Sequence, residues 1–174
     1  MKTTLETNRL ILRPFEYTDA GAMFNNWASD DEVTKYLTWP THKSVEDTKY
    51  ILDLWIKQYE KPERINFAIT LKETNELIGG IDVVGYIDKT PVIGYNLSRK
   101  YWNNGYMSEA CKAVVNYLFS LGYDTIRIDA AKENLASNKV IQKCGGIFIE
   151  EYNDYLPLKD KYMVINKYII KIDK

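Results

Sequence analysis

The stretch Trp102-Asn103-Asn104-Gly105-Tyr106-Met107-Ser108-Glu109-Ala110 joins a strand-like segment, residues 92–97, to an amphipathic helical segment running from about Gly105 to Leu121. A strand that turns through a glycine into a helix leaves the first N–H groups of that helix without intrahelical partners. Those donors, with the positive end of the helix dipole, make a ready site for phosphate oxygens. The loop lacks the Gly-Lys-Ser/Thr ending of a nucleoside-triphosphate loop and the three glycines of a dinucleotide fold.

Upstream, Asn8-Arg9-Leu10-Ile11-Leu12-Arg13-Pro14 alternates bulky apolar residues and stops at proline, the pattern of a first strand. Thr18-Asp19-Ala20 is expected to open a helix capped by Thr18, with Ala22, Met23 and Trp27 on its apolar face. A short helical turn begins at Asp30-Asp31-Glu32-Val33 and ends in Tyr36-Leu37-Thr38-Trp39-Pro40. Ser44-Val45-Glu46-Asp47 reads as the next helix start, with aspartate in place of the glutamate preferred in a capping box. Residues 66–71 and 77–84 read as two strands joined by a hairpin loop.

Downstream come a strand at residues 125–130, a helix at 135–144 closed by Gly145-Gly146, and two last strands at 147–152 and 161–170. No repeat, low-complexity tract or linker breaks the pattern, so residues 1–174 are expected to form one domain. The fold class is α/β of the α+β type: a mostly antiparallel mixed central sheet of about seven strands flanked by about four helices.

Apolar residues make up 45% of the chain and charged residues 27%, as in an ordinary globular protein. A net charge of −1 gives no global field toward nucleic acid or anionic lipid. No apolar run is long enough to span a bilayer, and the N-terminal segment has no apolar core for a signal peptide. Cys111 and Cys144 match no redox or zinc spacing, and one histidine, His42, argues against a metal cage. The chain is expected to be cytoplasmic and reduced, with no metal, no nucleic acid and no membrane among its partners. The 14 tyrosines and 4 tryptophans are expected mostly to fill core and in a few cases to line a cleft.

The order of elements and four motifs together resemble the GNAT acetyltransferases, nearest the RimJ/RimL-like branch. The motifs are Arg9-Leu10-Ile11-Leu12-Arg13 with Asp19; Ile78-Gly79 with Gly94-Tyr95; Tyr101-Trp102…Gly105-Tyr106…Glu109-Ala110; and residues 134–145. The resemblance covers nearly the whole chain and implies acetyl-CoA as cosubstrate. Backbone amides around Asn104, Gly105, Tyr106, Met107 and Ser108 would hold its diphosphate. The strand backbone of Tyr95, Asn96 and Leu97 would pair with the pantetheine arm as an added strand does. Asn134 would bind that arm from the other side, with Asn138 and Lys143 as further candidates. A homodimer is compatible with this reading.

Two positions depart from the family pattern. The tyrosine that protonates the departing thiolate in many members is Ile141 here, and the phenylalanine of the usual Gly-Phe pair is Gly146. Ser137, which faces the cofactor in this branch, is the candidate acid; its alternative role is a helix-start residue bonded to backbone. Asp82 is the candidate base, with Glu150, Glu151, Asp154 and Asp160 as competitors and His42 as a remote one. Tyr36 and Trp39, in the helical insertion that in the family this chain resembles walls the acceptor site, are candidate substrate contacts, whereas Trp27 is assigned to the core.

The implied reaction is direct transfer of an acetyl group to a primary amine, either a protein N-terminus or a small molecule. Such an amine titrates near ~8 to ~10.4 and must be neutral to attack. It needs a base, a water chain or a desolvated pocket. A non-catalytic acyl-CoA-binding or sensing module is the alternative. A nucleotide-binding protein using the same loop is disfavoured because no Lys-Ser/Thr follows Gly105.

Overall fold

Eight strands form one sheet in the computed structural model, which describes residues 3–172. They are β1 (Leu5–Glu6), β2 (Leu10–Pro14), β3 (Asn66–Leu71), β4 (Leu77–Ile87), β5 (Thr90–Leu97), β6 (Thr125–Ala131), β7 (Ile147–Leu156) and β8 (Lys161–Lys171). Their spatial order is β1-β2-β3-β4-β5-β6-β8-β7, and every neighbouring pair is antiparallel except β5 and β6. The α-helices are α1 (Ala20–Met23), α2 (Asp31–Thr34), α3 (Val45–Lys57), α4 (Tyr106–Ser120) and α5 (Leu135–Lys143). The mixed, mostly antiparallel sheet is as expected, with one strand and one helix more than the sequence suggested. The additional strand, β1, has only 2 residues and carries no alternation to read.

Side-chain alternation along the strands divides the core in two. One face sends Leu12, Phe67, Ile81, Ile93 and Ile128 against Met107, Cys111, Val114 and Leu118 of α4 and Ile141 of α5. The other packs Ala68 and Leu77 against Phe15, Met23, Trp27 and Leu52 from the helical insertion, so Trp27 is core as assigned. Both cysteines are buried and free.

Local chemistry sets the ends of these elements. Ser44 and Asp47 close a capping box at the start of α3, the aspartate serving in the usual glutamate position. Thr18 does not cap the first helix. A short turn of 3-10 helix at Tyr17–Asp19 precedes α1, and there Glu16 and Asp19 form the box. The buried Asp19 carboxylate accepts both the Glu16 N–H at 2.8 Å and a two-pronged contact from Arg13 at 2.8 Å.

β4 and β5 run longer than their apolar runs because Asp88 and Lys89, at φ 48° and 68°, make a two-residue turn between them. α5 ends in the reversed bonds of a glycine-terminated helix: Gly145 N–H to Gln142 O at 3.1 Å and Gly146 N–H to Ile141 O at 2.9 Å.

Candidate functional site

β5 and β6 are in register only at Val92↔Arg127 and Ile93↔Ile128, while β4 stays paired with β5 as far as Gly79↔Leu97. Past Ile93, then, one edge of β5 is bonded and the other faces a wedge-shaped gap. The backbone of Tyr95 and the N–H of Leu97, which alternate away from β4, can receive an extended, amide-bearing ligand as an added strand.

The loop lies at the mouth of this gap. Trp102 ties it to the end of β5 by donating from Nε1 to Leu97 O at 2.8 Å, and Asn104 Nδ2 bonds Trp102 O at 2.8 Å. Asn103 and Gly105 both take left-handed backbone, φ 62° and 77°, and α4 starts at the next residue. Its first backbone bond is Glu109 N–H to Gly105 O at 3.0 Å, which leaves the N–H groups of Tyr106, Met107 and Ser108 without helical acceptors. The Met107 side chain is buried in the core, and the Tyr106 ring lies between Tyr101, edge-on at 5.9 Å, and the Arg9 guanidinium at 4.2 Å. Side chains here anchor, and backbone N–H groups remain to bind.

The sequence reading missed one part of the loop's support. The Glu109 carboxylate accepts from Thr7 Oγ1 at 2.6 Å, Arg9 N at 2.8 Å and Arg9 Nε at 2.7 Å, and Arg9 Nη1 donates to Asn104 O at 3.0 Å. An acidic residue in the first turn of α4 was the only visible signal.

Across the gap stands the N-terminus of α5. Asn134 caps it, its Oδ1 accepting Ser137 N–H at 3.1 Å. Ser137 Oγ meets the Tyr95 hydroxyl at 2.9 Å, and that hydroxyl also donates to Ser137 O at 3.2 Å, so the serine proton is directed at the tyrosine oxygen. Burial pushes the Tyr95 phenol up, and it stays neutral.

Asn138 differs from expectation. Its Nδ2 donates to Ala131 O and Asn134 O at 2.9 and 2.8 Å, and its Oδ1 accepts from Asn166 and Tyr168 at 2.9 and 2.8 Å. Every hydrogen-bonding site of that amide is used inside the fold, so it pins α5 to β6 and β8 and has nothing left for a ligand. Lys143 is exposed on the last turn of α5, ~13 Å along the helix from Asn134.

Tyr95 points to the α4 side of the sheet, and the residues alternating with it point the other way. On that opposite face Asp82 sits across from Gly94, with Arg64 Nη1 at 3.5 Å. Burial pushes the Asp82 carboxyl up to about 6, against the opposing pull of Arg64. One pair further along, Asn96 stands across from Gly80, and its buried Oδ1 has no hydrogen-bond partner among the described residues.

The competing carboxylates lie elsewhere. Glu150 and Glu151 are paired with Lys167 and Lys132 at 2.9 and 2.7 Å on the outer strand, and Asp160 accepts from Tyr155 at 2.7 Å. The outer strand β7, which also carries Asp154, is three strand spacings, ~14 Å, from β5. His42 bonds Thr48 through Nδ1 at 2.7 Å and stacks on Trp39 at 5.1 Å, and burial lowers its pKa. That makes it a support for the loop. Trp39 packs at the edge of the insertion's core, and Tyr36 is half-buried beside the Lys35 ammonium at 5.2 Å. The turn between β7 and β8 reaches this insertion, where Lys159 Nζ donates to Thr34 O at 2.5 Å.

A family model described as an acetyltransferase (GNAT) domain matches residues 9–147, a span that takes in the loop, the gap and both flanking helices. The chain belongs to the GNAT acetyltransferases. It is 35% identical over 144 residues to the uncharacterized N-acetyltransferase YoaA of Bacillus subtilis (strain 168), covering 81% of each chain.

A GNAT-family acetyltransferase from Bacillus anthracis superposes with a TM-score of 0.84 at 27% identity, covering 97% of this chain and 98% of that one. A RimL ribosomal L7/L12 α-N-protein acetyltransferase, solved in complex with coenzyme A, shares the fold at TM-score 0.85 and 21% identity, covering 98% and 99%. No helix among the described residues is long and apolar enough to cross a membrane, and no three or more metal-ligating side chains cluster among them.

The two departures of this GNAT chain meet in space. Ile141 is wholly buried, and a Cβ on Gly146 would collide with its Cγ2. A large residue at 141 and none at 146 fill one volume, and no phenol reaches the gap from α5 at that position.

Proposed function

We propose that this chain, as a single GNAT-like domain, transfers an acetyl group from acetyl-CoA directly to a primary amine. One observation carries the reading: the unpaired edge of β5 leads straight to the left-handed Gly105 turn and the open N-terminus of α4. A pantetheine arm pairs with the first, and a diphosphate suits the second. With the arm in the gap, the thioester lies between the two faces of the sheet. The amine approaches from the side of Asp82 and Asn96, and the sulfur leaves toward Ser137.

Each group then has a defined task. Asp82 takes the proton that the ammonium must lose, directly or through one water, and Asn96 Oδ1 accepts an N–H of the incoming amine. A β5 backbone N–H facing the gap stabilises the oxyanion. Ser137 donates its hydroxyl proton to the departing sulfur and is reprotonated from solvent, while Tyr95 stays neutral and holds the serine in place. A thiolate near ~8.5 is already a good leaving group, so this last step contributes least. Tyr36 and Trp39 line the acceptor's approach. The amine is either a peptide N-terminus, as the RimL neighbour's substrate suggests, or a small molecule.

The test is thiol release from acetyl-CoA in the presence of a panel of N-terminal peptides, amino acids, polyamines and aminoglycosides. Turnover with at least one amine is expected. Ser137→Ala is expected to lower kcat by no more than about tenfold, a smaller loss than general acid–base catalysis usually carries. Tight binding of acetyl-CoA without release on any amine would instead favour a non-catalytic acyl-CoA-binding module, a reading that the buried Ile141 keeps open.

A further inference from the structure

We infer that Arg9 is a positioning residue for the diphosphate of the acyl donor, acting through the loop it grips; this rests on the acetyltransferase reading above. The segment carrying Thr7 and Arg9 crosses the loop from 100 positions away in sequence. Glu109 fixes the arginine through its backbone N–H and Nε, at 2.8 and 2.7 Å, and Thr7 Oγ1 completes the carboxylate's contacts at 2.6 Å. So held, the guanidinium covers the Tyr106 ring at 4.2 Å and donates from Nη1 to Asn104 O at 3.0 Å. Nη2 lies 3.5 Å from where a Cβ on Gly105 would stand.

The last bond has a directional consequence. In a planar trans peptide the carbonyl and the following N–H point opposite ways. Drawing the Asn104 carbonyl toward Arg9 therefore turns the Gly105 N–H away from it, alongside the free donors of Tyr106, Met107 and Ser108. Arg9 also cancels a carboxylate one turn into α4 that would otherwise repel phosphate. Burial alone would push the Glu109 carboxyl up, but the hydrogen bonds from Thr7 and Arg9 outweigh it and keep the group ionised. The device works as a bracket, with the acid locking the arginine and the arginine aiming the loop.

The experiment compares acetyl-CoA with acetyl-pantetheine, which keeps the thioester and amide arm but lacks the diphosphate, on wild type, Arg9→Ala and Arg9→Lys. For Arg9→Ala, KM for acetyl-CoA is expected to rise about tenfold, the scale of one hydrogen bond to a charged group, with kcat within about twofold. Its kcat/KM for acetyl-pantetheine is expected to match wild type. Arg9→Lys is expected to recover only part of the loss, because an ammonium cannot reproduce the planar fork and the stacking.

An equal loss with both donors, or an unchanged KM for acetyl-CoA, overturns the inference. Should Arg9→Ala fail to fold, Arg9→Lys decides by the same donor comparison. Wild-type turnover of acetyl-CoA is read separately, so failure of the underlying activity is not confused with failure of this role.

Discussion

Asp82→Asn is expected to lower kcat/KM by at least about a hundredfold at neutral pH, the lower end of what a positioned acid or base contributes. The carboxyl works as a base only when ionised. With its pKa raised to about 6, wild-type kcat/KM should climb as pH rises through that value and then level off until the amine's own titration enters. The variant has no such group, so its profile should lack the limb near 6. Two effects on stability oppose each other. A carboxyl whose folded pKa lies above its unfolded one favours the fold at low pH and gives up that advantage as pH rises through about 6. The amide escapes this cost but leaves Arg64 without its counter-charge at 3.5 Å. The thermal midpoint is therefore expected to move little while the rate collapses. A pH profile of Asp82→Asn that still rises near 6 would place the base elsewhere, in a water chain or another carboxylate.

Gly105→Val should weaken acetyl-CoA binding by about two orders of magnitude, measured by calorimetry with ATP and NAD as controls. Space is not the whole reason. A Cβ at 105 would lie in ordinary contact, 3.5 Å from Arg9 Nη2. The larger obstacle is φ 77°, a conformation that costs an L-residue ~1–2 kcal/mol and a β-branched one more. Relief of that strain swings the peptide units on either side and scatters the N–H groups, and the branching methyls press on the guanidinium that aims them. Gly105 is exposed and touches no core side chain, so the fold should survive, with the strain lowering the midpoint by only a few degrees. Binding that is unchanged in the variant, or shared equally by ATP and NAD in the wild type, would mean the loop serves another ligand.

Local chemistry was legible and tertiary chemistry was not. The limits of β3, the Ser44 cap and the glycine stop of α5 all follow from residues within four positions of one another, and sequence gives them directly. The longer hairpin β4–β5 was underestimated because Asp88-Lys89 takes the left-handed turn without the Asn-Gly or Asp-Gly that advertises it. Thr18 looked like a cap because its hydroxyl is of the right type. Glu16 caps instead, with Asp19 as its partner in the box, and Arg13 also holds Asp19, a contact the alternation of β2 does not announce.

At the site, the loop and the strand edge could be read from glycine placement and element order. The partnership of Arg9 with Glu109 could not, since no local pattern links a residue in the bend before β2 with one on a helix so far along the chain. Asn138 shows the converse. A polar residue one turn into a motif can read as a ligand group and yet be spent wholly on holding a helix in place.

The two-pair register between β5 and β6 also bears on how the molecule behaves before it binds anything. Strands β1–β5 and β6–β8 are two blocks of sheet sewn together by a very short seam and by the helices that lie across it. A cosubstrate running along the open edge supplies the missing stitches. It would therefore be a structural component as well as a reactant: its arrival should stiffen the seam, raise the melting temperature in proportion to the logarithm of its concentration, and shield the amide hydrogens of Tyr95 and Leu97 from exchange. Loss of the acyl group leaves those stitches in place. Release of the spent carrier, which must unpick them, is then the step in the cycle that loosens the sheet.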